Sequence, residues 1–311
     1  MPCEPLPVVA VAGPTATGKS DLAVAIARRC RSGAEIVNAD SMQLYAGMDI
    51  GTAKLRPGER AGIEHHLLDV WPITKSAAVA EYQAMARAVI ARIHARGRLP
   101  ILVGGSGLYL RAALDRLDFP GEAPEVRAEL ERELAVAGPG ELHRRLAGVD
   151  PEAAAAILPS NGRRIVRALE VVTITGGPFL ARMPGFESVY DATHVGLDRA
   201  DLDERVDRRA DVMIANGLVD EVRRLLPAGL RDSPTAGKAL GYAQVLDVLD
   251  DDGSVVGDLD EAVAITKRAT RRFVRRQRSW FRRDPRVIWL DGAAADVQEQ
   301  AVASLPPTLV V

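Results

Sequence analysis

Short, wholly apolar runs alternate with longer amphipathic stretches over the first third of the chain. Residues 7–12 (Pro-Val-Val-Ala-Val-Ala) are apolar without a break, the pattern of a strand buried on both faces. A loop from Gly13 to Gly18 follows, and residues 19–29 carry Leu22, Ile26 and alanines at helical spacing. Residues 34–37 form a second short run that ends in the polar Asn38-Ala39-Asp40-Ser41. Residues 76–96 predict an alanine-rich helix, and residues 99–103 a third strand cut by Gly104-Gly105-Ser106-Gly107. Strand, loop, helix, strand, helix, strand predicts a parallel sheet with helices on its faces.

The pattern changes near Leu117. Residues 122–175 are helical in character, rich in Ala, Leu, Glu and Arg, with little strand signal. Phe119-Pro120-Gly121 and Gly176-Gly177-Pro178 bracket this stretch, and Gly138-Pro139-Gly140 divides it. The expected organisation is an α/β core from residues 1–118 and 189–311, with an all-helical subdomain inserted over 119–188. Residues 195–197 and 287–291 predict later strands, and 201–226, 236–250 and 258–283 predict helices.

Composition narrows the class. With 311 residues, 47% hydrophobic and 26% charged, the chain has a globular profile and ample material for a core. Cys3 and Cys30 are its only cysteines, too few for a disulfide framework or a zinc finger and suited to a reducing compartment. No apolar run approaches the roughly 18 residues of a membrane span, and the opening residues lack the basic region of a signal peptide. The expectation is a cytoplasmic protein with no membrane partner.

The formal net charge of −2 hides an asymmetry. Ten Lys or Arg residues lie between Lys267 and Arg286 with Asp284 as the only acid, so this segment carries +9 and the remainder −11. Such concentration predicts a local phosphate-binding surface. Residues 268, 272, 275, 276 and 279 share one helical face, and Phe273, Trp280 and Phe281 are placed to anchor or stack. Arg163, Arg164 and Arg167 make a smaller basic patch in the insertion.

The strongest single motif is Gly13-Pro14-Thr15-Ala16-Thr17-Gly18-Lys19-Ser20. It fits G-x-x-x-x-G-K-[ST] between a predicted strand and a predicted helix. Backbone N–H groups and the helix N-terminus favour a di- or triphosphate, Lys19 reaches its terminal oxygens, and the Ser20 hydroxyl is a candidate Mg²⁺ ligand. This makes the chain a candidate nucleotide or diphosphate binder, ATP included. An NTPase would add an acid at the end of an apolar strand, yet Ile101-Leu102-Val103 ends in glycine. Asp40 offers a carboxylate at the sheet edge where ligands bind, as metal ligand, as base or as a simple cap.

These residues resemble those of the tRNA dimethylallyltransferases (tRNA isopentenyltransferases), bacterial type. The phosphate loop is followed by Asn38-Ala39-Asp40-Ser41-Met42-Gln43-Leu44-Tyr45, then by Gly47-Met48-Asp49-Ile50-Gly51-Thr52-Ala53-Lys54. His65-His66-Leu67-Leu68-Asp69, Val103 to Tyr109, Arg164 with residues 167–171, residues 217–222, Ala239-Leu240-Gly241-Tyr242, and Thr270-Arg271 with Arg276-Gln277 and Trp280-Phe281-Arg282 complete the series. The likeness covers about residues 8–291. Leu55, Ser106 and Gly162-Arg163 depart from the family's usual residues.

The resemblance implies a phosphate-loop, NTPase-like α/β fold and a prenyl transfer. The dimethylallyl group of dimethylallyl diphosphate would move to N6 of the adenosine 3′-adjacent to the anticodon, in tRNAs reading codons that begin with U. Mg²⁺ would be the cofactor, and the working unit a monomer. The implied catalytic residues are Asp40 as base, Ser106 at the diphosphate or the adenine, and Arg209 near the diphosphate. The implied tRNA contacts are Asp40, Ser41, Met42, Gln43, Ser106, Arg127, Arg163, Arg164, Arg167, Arg275, Arg276, Gln277 and Trp280. His65 and His66 are expected to be structural or substrate-lining, and Lys54 to meet either ligand's phosphate or neither. A nucleotide kinase, a free-adenylate prenyltransferase and a non-catalytic RNA-binding module are the rival readings; the basic segment argues against the second, and the intact phosphate loop is unexplained by the third.

Overall fold

The computed structural model describes residues 6–179 and 185–311; Cys3 lies outside them. Six parallel strands form one sheet: β1 (Pro7–Ala12), β2 (Ala34–Asn38), β3 (His65–His66), β4 (Leu99–Gly104), β5 (Asp191–Asp198) and β6 (Val287–Asp291), in the order β3-β2-β4-β1-β5-β6. Val9 on β1 stands between Ile101 on β4 and Thr193 on β5. Both faces of the central strands are covered, which is why their sequences are apolar throughout rather than alternating.

Helix α1 (Lys19–Arg29) packs Leu22 and Ile26 onto Val9, Val11, Ile36 and Ile101 in the main core. Helices α2 (Val79–Ala95) and α3 (Gly107–Leu114) complete the N-terminal half. The chain divides into two compact units, Leu117–Glu187 and the remainder. The Leu117–Glu187 unit holds α4 (Pro124–Ala137), α5 (Pro139–Val149), α6 (Pro151–Ala156) and α7 (Gly162–Thr175), packed around Leu130, Leu142, Leu146, Ile165 and Leu169. Glu170 is fully buried there. Burial alone would raise its carboxyl pKa, but hydrogen bonds from Arg167, the Ala123 N–H and Arg127 outweigh that and hold it below the usual range.

After β5 come α8 (Leu202–Ala215), α9 (Leu218–Leu225), α10 (Tyr242–Leu246), α11 (Leu259–Phe281) and, after β6, α12 (Val297–Ala303). Several elements differ from the sequence expectation. The helix expected over 201–226 breaks at Asn216-Gly217, and that over 236–250 contracts to α10 behind a short 3₁₀ turn at Ala236–Lys238. Strand β5 begins at Asp191 rather than at 195, its exposed and half-buried first residues having hidden the strand pattern. The two-residue edge strand β3 and helix α12 were not anticipated; two residues carry no readable period.

Candidate active site

The phosphate loop bends out of β1 and into α1. Gly13 has φ +137, and a Cβ there would lie 2.2 Å from the Leu197 carbonyl oxygen, so neither the backbone angle nor the space admits another residue. Ala16 also has positive φ, at 66. Its carbonyl accepts from Arg205 Nε at 2.8 Å, and the Thr17 hydroxyl donates to the Pro14 carbonyl at 3.0 Å.

One cavity collects the candidate chemistry at the C-terminal edge of the sheet. Thr15, Lys19, Ser20, Asp40, Gln43, Gly105 and Arg209 supply polar surface, while Ile36, Leu55, Leu68 and Val103 supply an apolar wall. Burial pulls the Lys19 ammonium down to about 7, opposed by Asp40 and reinforced by Arg209. Lys19 donates to the Pro14 carbonyl. Arg209 donates to Thr15 Oγ1 at 2.9 Å and to the Thr52 carbonyl at 3.2 Å. Burial lowers its pKa too, with Asp40 opposing. Two cations and a carboxylate therefore meet in a poorly solvated pocket, an arrangement suited to a multiply charged anion.

Asp40 follows the end of β2. Its Oδ1 accepts from the Met42 N–H at 2.9 Å, and it lines the cavity. Ser41 and Ser106 meet across this turn, with the Ser41 N–H donating to Ser106 Oγ at 3.3 Å. Gln43 donates to the same Thr52 carbonyl as Arg209, at 3.1 Å. Met42, Gln43 and Ser106 are half-buried. Gly107 opens α3 directly against the half-buried Trp280, whose ring would lie 2.0 Å from any Cβ at that position. Trp280 is thus seated beside Ser106.

Other expected site residues have different employment. Gln277, expected at the RNA, is 6% exposed. Its Oε1 accepts from the Thr15 N–H at 3.1 Å and its Nε2 donates to the Gly105 carbonyl at 2.8 Å, so both ends of the amide are engaged in bracing the site's loops. Arg127 and Arg167, expected to grip RNA, both bind the buried Glu170, and Arg167 also reaches the Pro120 and Gly121 carbonyls. Arg163 and Arg164 remain on the exposed face of α7.

The basic segment is less free than its composition suggests. Lys267, Arg271 and Arg275 on α11 pair with Asp211, Asp207 and Asp203 on α8, at 2.6, 2.6 and 3.4 Å. Arg278 and Arg282 share Asp198, and Arg286 reaches Asp115 and Asp284. Arg272, Arg276 and Arg283 are exposed with no acid paired to them among the described residues; Arg276 lies 5.7 Å from the Phe273 ring centroid.

Lys54, left open by the sequence, is engaged within the protein. It is 8% exposed and gives its ammonium to Asp49 at 2.7 Å, Asp69 at 2.5 Å and the Tyr45 carbonyl at 3.1 Å. His65 lines the cavity with a buried Nε2 that has no hydrogen-bond partner among the described residues, and His66 binds the buried Glu35 at 2.6 Å. Sequence reasoning missed Thr52 and Glu221. Glu221, 1% exposed, accepts from the N–H groups of Asp49, Ile50 and Gly51 and from Tyr242 Oη, and so fixes the loop whose Thr52 carbonyl holds Arg209 and Gln43. The acid within the matching motif of residues 217–222 was the available signal.

The comparisons with known proteins identify the family and the fold. A family model described as IPP transferase matches residues 43–284; that segment starts after the phosphate loop, so the loop rests on its own geometry. The tRNA dimethylallyltransferase of Streptomyces avermitilis is 63% identical over 296 residues, covering 94% of this chain and 92% of that protein. The enzyme of the same name from Thermobifida fusca is 62% identical over 301 residues, covering 95% and 93%. The crystal structure of full-length tRNA isopentenylpyrophosphate transferase from Bacillus halodurans superposes with a TM-score of 0.67 at 39% identity, covering 96% of each chain. No helix among the described residues is long and apolar enough to cross a membrane. The chain belongs to the IPP transferase family and is a tRNA-modifying prenyltransferase of the tRNA dimethylallyltransferase type.

Proposed function

We propose that the enzyme transfers the dimethylallyl group of dimethylallyl diphosphate to N6 of the adenosine 3′-adjacent to the anticodon, in tRNAs reading codons that begin with U. The products are N6-isopentenyladenosine and diphosphate. The observation that carries this reading is the cavity holding the phosphate loop, Lys19, Arg209 and Asp40 against an apolar wall. A diphosphate needs the first three groups and a short prenyl chain needs the wall.

In this mechanism the diphosphate lies on the phosphate loop, with Lys19 and Arg209 stabilising the charge that grows as the C–O bond breaks. Thr15, held by Arg209 and Gln277, keeps the loop in its receiving shape. Asp40 takes the N6 proton as the C–N bond forms, a contribution typically worth about 10²–10⁴ in rate. An exocyclic amine is a weak nucleophile, so orientation supplies much of the remainder. Ser106, Met42 and Gln43 contact the adenine after it leaves the anticodon-loop stack.

Mg²⁺ fits the residues present. The Ser20 hydroxyl and the Asp40 carboxylate are oxygen donors lining the same cavity, the donor type this ion prefers. Ser20 would hold the ion, which when bound neutralises part of the diphosphate charge. RNA phosphates are met by Arg272 and Arg276 on α11, by Arg283 just past its end, and by Arg163 and Arg164 on α7, and the enzyme acts as a monomer.

A transfer assay tests the reading. Protein, Mg²⁺, dimethylallyl diphosphate and an anticodon stem-loop with three adenosines at and just after the third anticodon position are incubated, and nucleosides are read by mass spectrometry. One isopentenyl unit gained on RNA adenosine supports it. Gain on AMP alone indicates a free-adenylate enzyme, and ATP consumption without prenyl transfer indicates a kinase; either result overturns it.

A further inference from the structure

The turn that carries Asp40 is held by one buried side chain. Asn38, the last residue of β2, is 5% exposed. Its Oδ1 accepts from the Asp40 N–H at 2.9 Å, and its Nδ2 donates to the Asp40 carbonyl at 3.0 Å. The second Nδ2 hydrogen goes to the Leu67 carbonyl at 2.9 Å. Both amide donors are used, and so is the oxygen. Asn38 thereby grips Asp40 by both of its peptide groups. It also ties that turn to Leu67, whose φ of 61 marks it as a forced bend.

The rest of the turn is pinned as completely. The Ala39 N–H donates to the Val103 carbonyl at 2.8 Å, the Ser41 N–H to Ser106, and the Met42 N–H to Asp40 Oδ1. The Asn38 carbonyl receives the Tyr82 hydroxyl at 2.9 Å. One carboxylate oxygen of Asp40 is therefore committed to the turn. A proton acceptor must sit within a fraction of an ångström of its proton's path, and misplacement of about 1 Å can cost about 100-fold.

We propose that Asn38 is the positioning residue for Asp40, setting the direction in which its free carboxylate oxygen meets the substrate amine. The proposal rests on the reading of Asp40 as base. Alanine at 38 strands the Asp40 N–H and two carbonyls. Serine restores one bond, because a hydroxyl reaches the N–H two residues on, but it cannot also span to Leu67.

The test is a double-mutant cycle on the full-length enzyme with the stem-loop substrate. Steady-state rates are measured for N38A, N38S, D40N and N38A/D40N, the slow variants being followed for longer times by mass spectrometry. N38A should lower kcat by about 10- to 100-fold and leave KM for dimethylallyl diphosphate within about twofold, with N38S in between. In the D40N background, N38A should cost less than about twofold more, because the group it positions is already disabled. Should N38A fail to fold, N38S against N38S/D40N carries the same comparison. Full activity in N38A, or an equal loss in both backgrounds, would overturn the positioning role. Full activity in D40N would instead overturn the assignment of Asp40 as base, and the inference with it.

Discussion

Two neighbouring regions at the C-terminal edge of the sheet each bury charge, and they do opposite things with it. In the loop over Asp49–Lys54, every buried charge is matched. Lys54 faces two carboxylates and a carbonyl, and Glu221 takes three backbone N–H groups and a tyrosine hydroxyl. In the phosphate-loop cavity, Lys19 and Arg209 are desolvated beside a single carboxylate. The first region is a knot whose energy is spent on holding its own shape. The second keeps charge uncompensated, a cost to folding that is recovered when an anion arrives. Motif context marks Lys19 in sequence, but only its partners show that Lys54 is structural.

The largest effects should come from the cavity. D40N should lower the transfer rate by about 10²–10⁴, with circular dichroism and melting unchanged. Next is the knot: E221Q leaves buried N–H groups competing for one oxygen and should cost about 2–4 kcal/mol. Denaturant titration would read that loss, and a cost below about 0.5 kcal/mol would mean the loop is not held as described.

The basic helix sharpens the contrast at lower magnitude. R272A and R276A should each weaken stem-loop binding and reduce the salt slope of log Kd by about one phosphate contact. R271A, already paired with Asp207, should change the slope far less and stability by no more than about 1 kcal/mol. Equal slopes for all three would show that the ladder between α8 and α11 opens onto RNA.

The last effect is seen only in acid. His194 is 6% exposed on β5, and burial lowers it to about 4 from its ordinary 6.5, with Arg286 adding to the shift. Its folded pKa lies below its unfolded one, so the unfolded chain binds the proton first. Stability is full above pH about 6.5 and declines toward pH 4, by about 3 kcal/mol in all. H194Q should flatten that part of the stability curve in chemical denaturation at fixed pH steps.

What the sequence disclosed follows from range. The phosphate loop and the apolar runs of β1, β2 and β4 are local patterns, and each element stands where its own residues imply. Asp40 was legible because it closes a strand in a polar segment at the ligand edge. The fate of the cations on α11 was not, since Asp203, Asp207 and Asp211 lie some sixty residues earlier; only their four-residue spacing, matching that of Lys267, Arg271 and Arg275, hinted at a ladder. Gln277 likewise looked like part of a basic RNA surface, and only packing shows its amide turned inward to Thr15 and Gly105. Strand β3 is held by register with Ile36 and Val37, which no two-residue sequence can announce.

The most direct test compares K19M with K54M in the same two assays, thermal melting and prenyl transfer per folded molecule. K19M should abolish transfer, by at least about 10²-fold, while its melting temperature holds or rises. K54M should melt several degrees lower, at roughly 2–4 °C per kcal/mol, and keep transfer within about tenfold. A K54M enzyme that melts normally but fails to transfer, or a K19M enzyme that is chiefly unstable, would contradict the division between the two regions.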